Sequence, residues 1–489
     1  MSVALALQSG AAASVWACFG GYLAAMIAIG LWAARRGSDD QEDFFLGGRR
    51  GSAFATALSA VSSGRSAWLV LGASAAAWKI GLSALWLFPG YVAVEAAMFL
   101  TLGPRLRERS AAVGALTVPE VLASAGATPE RGSHRSVRAI AGLLTVLFLL
   151  TYVSAQLVGG GKAIESIFDI EGNTWGLLIT AAVVLVYTVL GGYRAVVVTD
   201  VLQALLMLVG LLVVPWLGLR MAGGWDAMWE SLRALDPALC SPVISGWAVA
   251  GGLAIGLGSV GNPHILVRHM SLEDARSARA AFFWGTSWNT LMAGGALLMG
   301  LVGRALYASA ERFPNADADF LFPQLGAAVA EQYLFAGFAG VLLATLFAAL
   351  MSTCDSQLLV IASSIVRDFR GQDRPAQSAG LGHSRLVVAL SLAIAVGVSF
   401  GETRLVHHFV LLSWGALGAA FGPAMLLALY DARTGRRAVT ASMLVGVLSF
   451  AALNQVWPKP LGTTGNLHLV PAFACAFLAA LPLRERAAG

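Results

Sequence analysis

The sequence predicts an all-α polytopic membrane protein of about thirteen transmembrane helices, its N-terminus outside and its C-terminus cytoplasmic. Three observations carry this prediction. The 489 residues are 57% hydrophobic and only 12% charged, with a mean hydropathy of +0.73, whereas a soluble domain averages about 25% charged residues. Apolar runs recur at the length of about 20 residues that crosses a bilayer. Lys and Arg alternate between the two sides of those runs.

The runs fall at 14–34, 54–77, 82–103, 139–163, 173–192, 196–219, 243–262, 280–303, 333–364, 383–401, 405–430, 438–456 and 466–483. Each is read as α-helix, because lipid offers the backbone no partner outside its own segment. Of the 32 Lys and Arg, 23 fall in loops after odd-numbered runs or in the C-terminal tail, among them Arg107, Arg131, Arg268, Arg276, Arg370, Arg374, Arg436 and Arg486. Eight fall on the other side (Lys79, Lys162, Arg220, Arg233, Arg304, Arg312, Arg404 and Lys459), and Arg65, near the middle of a run, completes the 32. Positive loops face the cytoplasm, so this asymmetry orients the chain in a cytoplasmic membrane. The N-terminal MSVALALQSGAAAS lacks the basic region of a secretory signal, so the first run is expected to be retained.

Two loops carry structure of their own. Residues 104–137 are basic, and TVPEVLAS (117–124) predicts a short helix capped by Thr117. Residues 304–332 are expected outside as a solvated loop holding Glu311, Asp317, Asp319 and Glu331. The four cysteines (Cys18, Cys240, Cys354 and Cys475) are too scattered for a disulfide framework or a zinc site. Gly256, Gly258 and Gly261 spell GxGxxG without a preceding strand, and GGGKAIES (159–166) has Ala where a phosphate loop needs Ser or Thr. His407–His408 lacks HExxH spacing, and no nucleophile accompanies a base. The reading is therefore not an enzyme, with no nucleic acid and no obligate protein partner implied.

Two runs are interrupted by helix breakers. The second has SSGRS (62–66) at its middle, and the seventh has GLGSVGNP (256–263). They lie five runs apart, so runs 2–6 and 7–11 form two five-helix repeats, and an odd-numbered unit copied in tandem inverts its topology. Broken helices at corresponding places in two inverted halves point to a midplane binding site in secondary transporters. The alternative is that these are ordinary helix-packing glycines. On this reading the chain is one transmembrane domain: 1–53 an extra helix and loop, 54–219 the first repeat, 243–430 the second, 438–489 two C-terminal helices and a tail.

The densest polar stretch within a run is FAALMSTCDSQLLVIASS (347–364). Ala349, Ser352, Thr353 and Ser356 stand at i, i+3, i+4 and i+7, on one helical face. Two adjacent hydroxyls, a helix carbonyl and carbonyls of an unwound neighbour would make a five-oxygen cage for sodium; the alternative is hydroxyls bonded back to their own helix. Asp355 points about 120° away from that face, and Asp200 lies a turn inside the sixth run; intramembrane carboxylates are functional candidates by default. Arg65 is then expected to pair with Asp355 or Asp200, to bind a carboxylate on a solute, or to snorkel into a vestibule.

AALMSTCDSQLLVIASS, together with GNPHILVRHM (261–270), LGGYRAVVVTDVLQALLM (190–207), TYVSAQLVGGGKAIES (151–166) and LGAAFGPAMLL (417–427), resembles the sodium:solute symporter family, in matching order from about residue 40 to 435. The resemblance is closest to its bacterial sodium/proline symporters. It implies a LeuT-type fold of 5+5 inverted repeats and solute uptake driven by sodium as coupling ion. Carried over by position, it implies sodium held by the carbonyls of Ser62, Arg65 and Ala349 and the hydroxyls of Ser352 and Thr353, with Asp200 close by. It implies a solute pocket built from Ser63, Gly64, Ser66, Tyr152, Gln156, Ile255, Ser259 and Pro263. The chain departs from the pattern at Gly64, where proline-transporting members have an acidic residue. Ile255 and Ser259 likewise replace two aromatics that enclose proline. The function implied is sodium-coupled symport of a small organic solute, an amino acid or related carboxylate; the alternatives are proton-coupled or sodium-independent transport on the same fold, or a transporter-like solute sensor.

Overall fold

The computed structural model describes residues 12–36, 40–126, 134–168, 174–335, 337–369, 380–400, 406–456 and 466–485. The expectations for segment 1–11 and for Arg131, Arg370, Arg374, Arg404, Lys459 and Arg486 fall outside these residues, and the side chains of Lys162, His407 and His408 likewise are not described. In chain order the helices are α1 (Ala12–Arg35), α2 (Gln41–Leu46), α3 (Ala53–Ala67), α4 (Ser74–Ile80), α5 (Pro89–Ala97), α6 (Gly103–Ala112), α7 (Val118–Ala123), α8 (Arg135–Phe168), α9 (Thr174–Met221) and α10 (Trp225–Leu235). There follow α11 (Gly246–Ser259), α12 (Pro263–Ser271), α13 (Ser277–Leu306), α14 (Leu321–Tyr333), α15 (Phe338–Arg367), α16 (Leu381–Ser399), α17 (Val406–Tyr430), α18 (Arg436–Val456) and α19 (Leu469–Ala480). Among the described residues, nine helical runs are long and apolar enough to cross a membrane, and two shorter apolar helices accompany them.

Two of those nine runs are double-length, and each is interrupted by a glycine in the left-handed region. Ala53–Ala112 is divided at Gly81 (φ 63°), and α9 at Gly192 (φ 54°). A side chain is excluded at both: a Cβ would lie 2.2 Å from the Leu239 carbonyl at Gly81, and 2.7 Å from the Phe44 ring at Gly192. These interruptions separate the second expected run from the third and the fifth from the sixth.

Both expected breaks are present. Within α3, Ser66 takes φ 48°, ψ −172°, conformations a non-glycine residue rarely holds. The chain then continues as a widened turn over Trp68–Ala73 into α4. The second break is Val260–Asn262, between α11 and α12; the Asn262 amide donates to the carbonyls of Gly258 near the end of α11 (2.7 Å) and of Trp414 within α17 (3.3 Å), tying the break to that helix. Away from the breaks, a short bridge ties the two broken helices: Gly51 N–H donates to the Ser271 carbonyl at 3.0 Å, and Glu273 N–H to the Gly51 carbonyl at 3.1 Å.

The middle of the bundle is α15. Every residue from Leu342 to Ser364 is buried, against α1, α3, α8, α9 and α16. Such burial all round the helix explains why its polar face is tolerated: the hydroxyls meet protein, not lipid. Thr117 caps α7 as expected, its hydroxyl accepting from Glu120 N–H at 3.1 Å.

Three boundaries differ from the sequence reading. The ninth run does not begin at 333: α14 ends there and α15 starts at Phe338, because Leu321, Phe322, Leu325 and Val329 bury an apolar face within what was expected to be a solvated loop. The last run is shorter, α19 being followed by a single tight turn over Leu481–Leu483. The seventh run is longer, since it resumes after its break as α12 up to Ser271. Arg268 therefore is not a loop residue: it is fully buried.

Candidate functional site

The two breaks and the hydroxyl face of α15 meet in the interior. Ser62, Ser63, Arg65 and Ser66 of α3, and Ser352, Thr353, Asp355 and Ser356 of α15, are at most 2% exposed. The Ser352 hydroxyl lies 3.3 Å from the Ser62 carbonyl and 3.3 Å from the Ala349 carbonyl. The Thr353 hydroxyl lies 3.0 Å from the Ser63 carbonyl and 3.3 Å from the same Ala349 carbonyl. Four of the five oxygens expected for sodium thus converge, with the Ser63 carbonyl added. The fifth, the Arg65 carbonyl, is engaged by the Trp68 backbone N–H. Hydroxyls of this kind can donate to a carbonyl or turn a lone pair toward a hard cation, which oxygen ligands suit.

Asp200, on the second half of α9, sits one layer away. Its Oδ2 accepts from the hydroxyls of Ser59 (2.6 Å) and Ser63 (3.3 Å) and pairs with Arg268 at 3.1 Å, both side chains fully buried. The Arg268 guanidinium also donates to Ser59, Ser63 and Ser356. It therefore joins α12 to α3, α9 and α15 in one polar cluster. Asp200 Oδ1 has no partner among the described residues.

The expected pairing of Arg65 with Asp355 or Asp200 is not what the structure holds. Arg65 pairs with Glu95 of α5, while Asp355 accepts from the Tyr187 hydroxyl at 2.6 Å and from Ser356 at 3.0 Å. Helix geometry explains the difference. Asp355 leaves α15 on the side facing α9, away from α3, and Asp200 is already taken by Arg268. Arg65 does not face lipid or open water either, being 2% exposed.

The residues expected to line a solute pocket gather at the breaks. The Tyr152 hydroxyl reaches Ser66 Oγ at 3.5 Å, and Gln156 Oε1 accepts from the Ala67 N–H at 3.4 Å. Ser259 donates to Glu95 Oε1 at 2.9 Å, the Ile255 carbonyl accepts from the Trp414 indole at 2.9 Å, and Pro263 opens α12. Gly64 faces Ile265 and Glu95. A cavity of about 670 Å³ lined by Thr101, Tyr430, Asp431, Arg433 and Arg484 lies elsewhere and takes in none of these residues.

Sequence reasoning passed over Glu95, His264 and Tyr187 and placed Arg268 in a loop. Glu95 had a usable signal, a carboxylate inside the third apolar run. His264, next to the Pro263 break, is fully buried between Tyr152 and Trp414, with ring centroids at 6.0 and 6.4 Å. Neither of its ring nitrogens has a hydrogen-bond partner among the described residues.

Known proteins resemble this chain in sequence and in fold. The sequence profile of the sodium:solute symporter family matches residues 44–446. The osmoregulated proline transporter OpuE of Bacillus subtilis is 34% identical over 94% of this chain and 92% of its own length. Sodium/proline symporter 2 of Staphylococcus saprophyticus is 32% identical over 94% and 90%. Among solved structures, a Na+-coupled sialic acid symporter in a substrate-bound outward-open state superposes with a TM-score of 0.78 at 18% identity, covering 96% of this chain and 98% of that one. MhsT in complex with L-phenylalanine gives a TM-score of 0.54 at 13% identity, covering 89% and 98%. These structural likenesses bear on the fold alone, and they agree with the LeuT-type architecture.

Proposed function

The chain belongs to the sodium:solute symporter family, and on that premise we propose that the solute it carries with sodium is a small amino acid such as proline, or a related carboxylate. Relatives similar in sequence over nearly their whole length are proline transporters. Ile255 and Ser259 stand where those relatives are expected to carry aromatics, so the pocket differs from theirs in width or shape.

One observation supports the assignment of the ion site. Hydroxyls on one face of α15 approach the carbonyls of Ser62 and Ser63 within 3.0–3.3 Å, where α3 approaches its break. Sodium at Ser352, Thr353, Ala349 and Ser62 would hold α3 against α15, completing the solute pocket at Ser63, Ser66, Tyr152 and Gln156. Binding of ion and solute is then coupled, each raising the affinity of the other. Release follows when the paired broken helices move against the rest of the bundle. Asp200 acts beside this ion site through Arg268.

The topology we propose has thirteen membrane-spanning segments, arranged as an extra N-terminal helix, two inverted repeats of five and two C-terminal helices. The N-terminus is outside and the protein sits in the cytoplasmic membrane. Uptake of labelled proline into proteoliposomes tests the function. Accumulation with an inward sodium gradient, and none with potassium, is expected. Uptake indifferent to sodium but driven by a proton gradient would overturn the sodium reading.

A further inference from the structure

Arg65 stands one residue before the first break, and everything around its head group concerns charge. One guanidinium nitrogen pairs with Glu95 Oε1, and the two side chains are 2% and 5% exposed. The flat face lies over the ring of Tyr91, 4.0 Å from its centroid and one helical turn from Glu95 on α5. The same Glu95 oxygen accepts from Ser259, the last residue of α11, at 2.9 Å, and its other oxygen accepts from the Asn289 amide of α13 at 2.7 Å. A single carboxylate is thus held by the ends of both broken helices. A Cβ at Gly64 would lie 3.8 Å from it, in ordinary contact, and 3.3 Å from Ile265.

The pair is electrically neutral as a unit. Charges buried away from water interact strongly and tolerate no uncompensated partner. Without Glu95, the guanidinium would be an unpaired cation beside the breaks and would attract any carboxylate. With Glu95 in place that attraction is cancelled: sodium adds the same single charge with every solute, an extra carboxylate meets Glu95 with like charge, and a zwitterion brings an ammonium to answer it. Its carboxylate can meet the N-terminal end of α12, where the helix dipole is positive, and Arg65 Nε, which has no partner among the described residues. Its ammonium can meet Glu95.

We propose that Glu95 sets the charge selectivity of the solute site, admitting solutes of zero net charge and turning away those with an unbalanced carboxylate. This rests on the symporter reading and narrows it: an amino-acid zwitterion is carried, and a dicarboxylate or acidic amino acid is refused.

Sodium-driven uptake of labelled L-proline, L-glutamate and succinate would be measured in parallel in proteoliposomes of wild type, Glu95→Gln, and Glu95→Gln combined with Arg65→Gln. Wild type is expected to favour proline over both anions by tenfold or more. Glu95→Gln should cut that ratio at least tenfold, and the double variant, neutral again, should restore it. If Glu95→Gln alone fails to fold, Arg65→Gln, which leaves Glu95 without its cation, should raise the ratio at least tenfold, and an unchanged ratio there would equally overturn the proposal. Glutamate or succinate carried by wild type at the rate of proline would overturn the proposal, as would a ratio unchanged in Glu95→Gln. Proline uptake that ignores the sodium gradient would instead overturn the symporter reading, whatever the ratio.

Discussion

The Thr353 hydroxyl lies 3.0 Å from the Ser63 carbonyl, joining residues 290 positions apart at the first helix break. With Ser352 on Ser62, it makes the junction between α3 and α15 depend on two hydroxyls. Neither Ser352→Ala nor Thr353→Ala opens a large hole, but each removes an oxygen that sodium is proposed to use. Each should raise the sodium concentration for half-maximal uptake about tenfold, equivalent to ~1.4 kcal/mol. Wild type should also melt at a higher temperature in sodium than in potassium, as expected for an ion that binds only the folded state. Sodium dependence unchanged in both variants would place the ion elsewhere.

The fully buried pair of Arg268 and Asp200 makes a sharper prediction about stability. Removing one partner of a buried pair leaves an uncompensated charge and typically costs about 3–5 kcal/mol. Arg268→Gln and Asp200→Asn should each lower the melting temperature strongly. The double variant, which leaves no charge behind, should recover much of the loss. A double-mutant cycle in thermal unfolding measures this coupling; additive losses would mean that the two residues do not depend on each other.

How far the sequence carried these readings depends on whether the signal was local. SSGRS and GLGSVGNP announce their breaks because serine, glycine and proline interrupt apolar runs within a few residues. The hydroxyl face of α15 is legible because a 3.6-residue period is a local property. The partner of Arg65 was not legible. Glu95 lies thirty positions away on a helix of its own, and their meeting is set by how α3 and α5 pack. Arg268 was misread as a loop cation for a related reason: Pro263 ends the apolar count, although the helix restarts there, with Pro in its first turn where it suits a helix.

Gly192 is where α9 divides, and its backbone demands a residue without Cβ. At φ 54° and ψ −149°, an added Cβ would sit 2.7 Å from the Phe44 ring and 2.9 Å from its carbonyl. Backbone strain and overpacking each cost about 1–3 kcal/mol, so Gly192→Ala should be destabilising by roughly the sum. Alanine at Gly294, where no atom lies within 4 Å, is the matched control and should change little. Equal melting temperatures for the two variants would contradict the geometry.

Asp368, just beyond the end of α15, accepts from the Thr117 hydroxyl at 2.8 Å. Burial, and then the negative charge of Glu120, push its carboxyl well above the usual carboxylate range. A carboxyl raised in the folded state favours folding while it is protonated. Stability should therefore fall as pH rises from the ordinary carboxylate value, near 3.9, toward the raised one. Asp368→Asn keeps an acceptor for Thr117 and cannot ionise, so it should flatten that slope and raise the melting temperature at neutral pH. Melting curves from pH 4 to 8 would show it; the same slope in both proteins would assign the pH dependence to another group.

His264 sets stability against transport at one residue. It is fully buried, and neither ring nitrogen has a partner among the described residues. An unsatisfied buried polar group costs about 1–3 kcal/mol, so a side chain kept there for packing alone would be better replaced by an apolar one of similar size. A ring that binds solute is different, because its nitrogens find their partner only when solute arrives. His264→Leu should thus melt at an equal or higher temperature than wild type without solute, while its half-saturation for proline uptake rises tenfold or more. His264→Gln, which restores a donor and an acceptor, should recover part of the affinity. A variant that loses stability yet transports normally would make His264 a packing residue, and would move the solute site away from the second break.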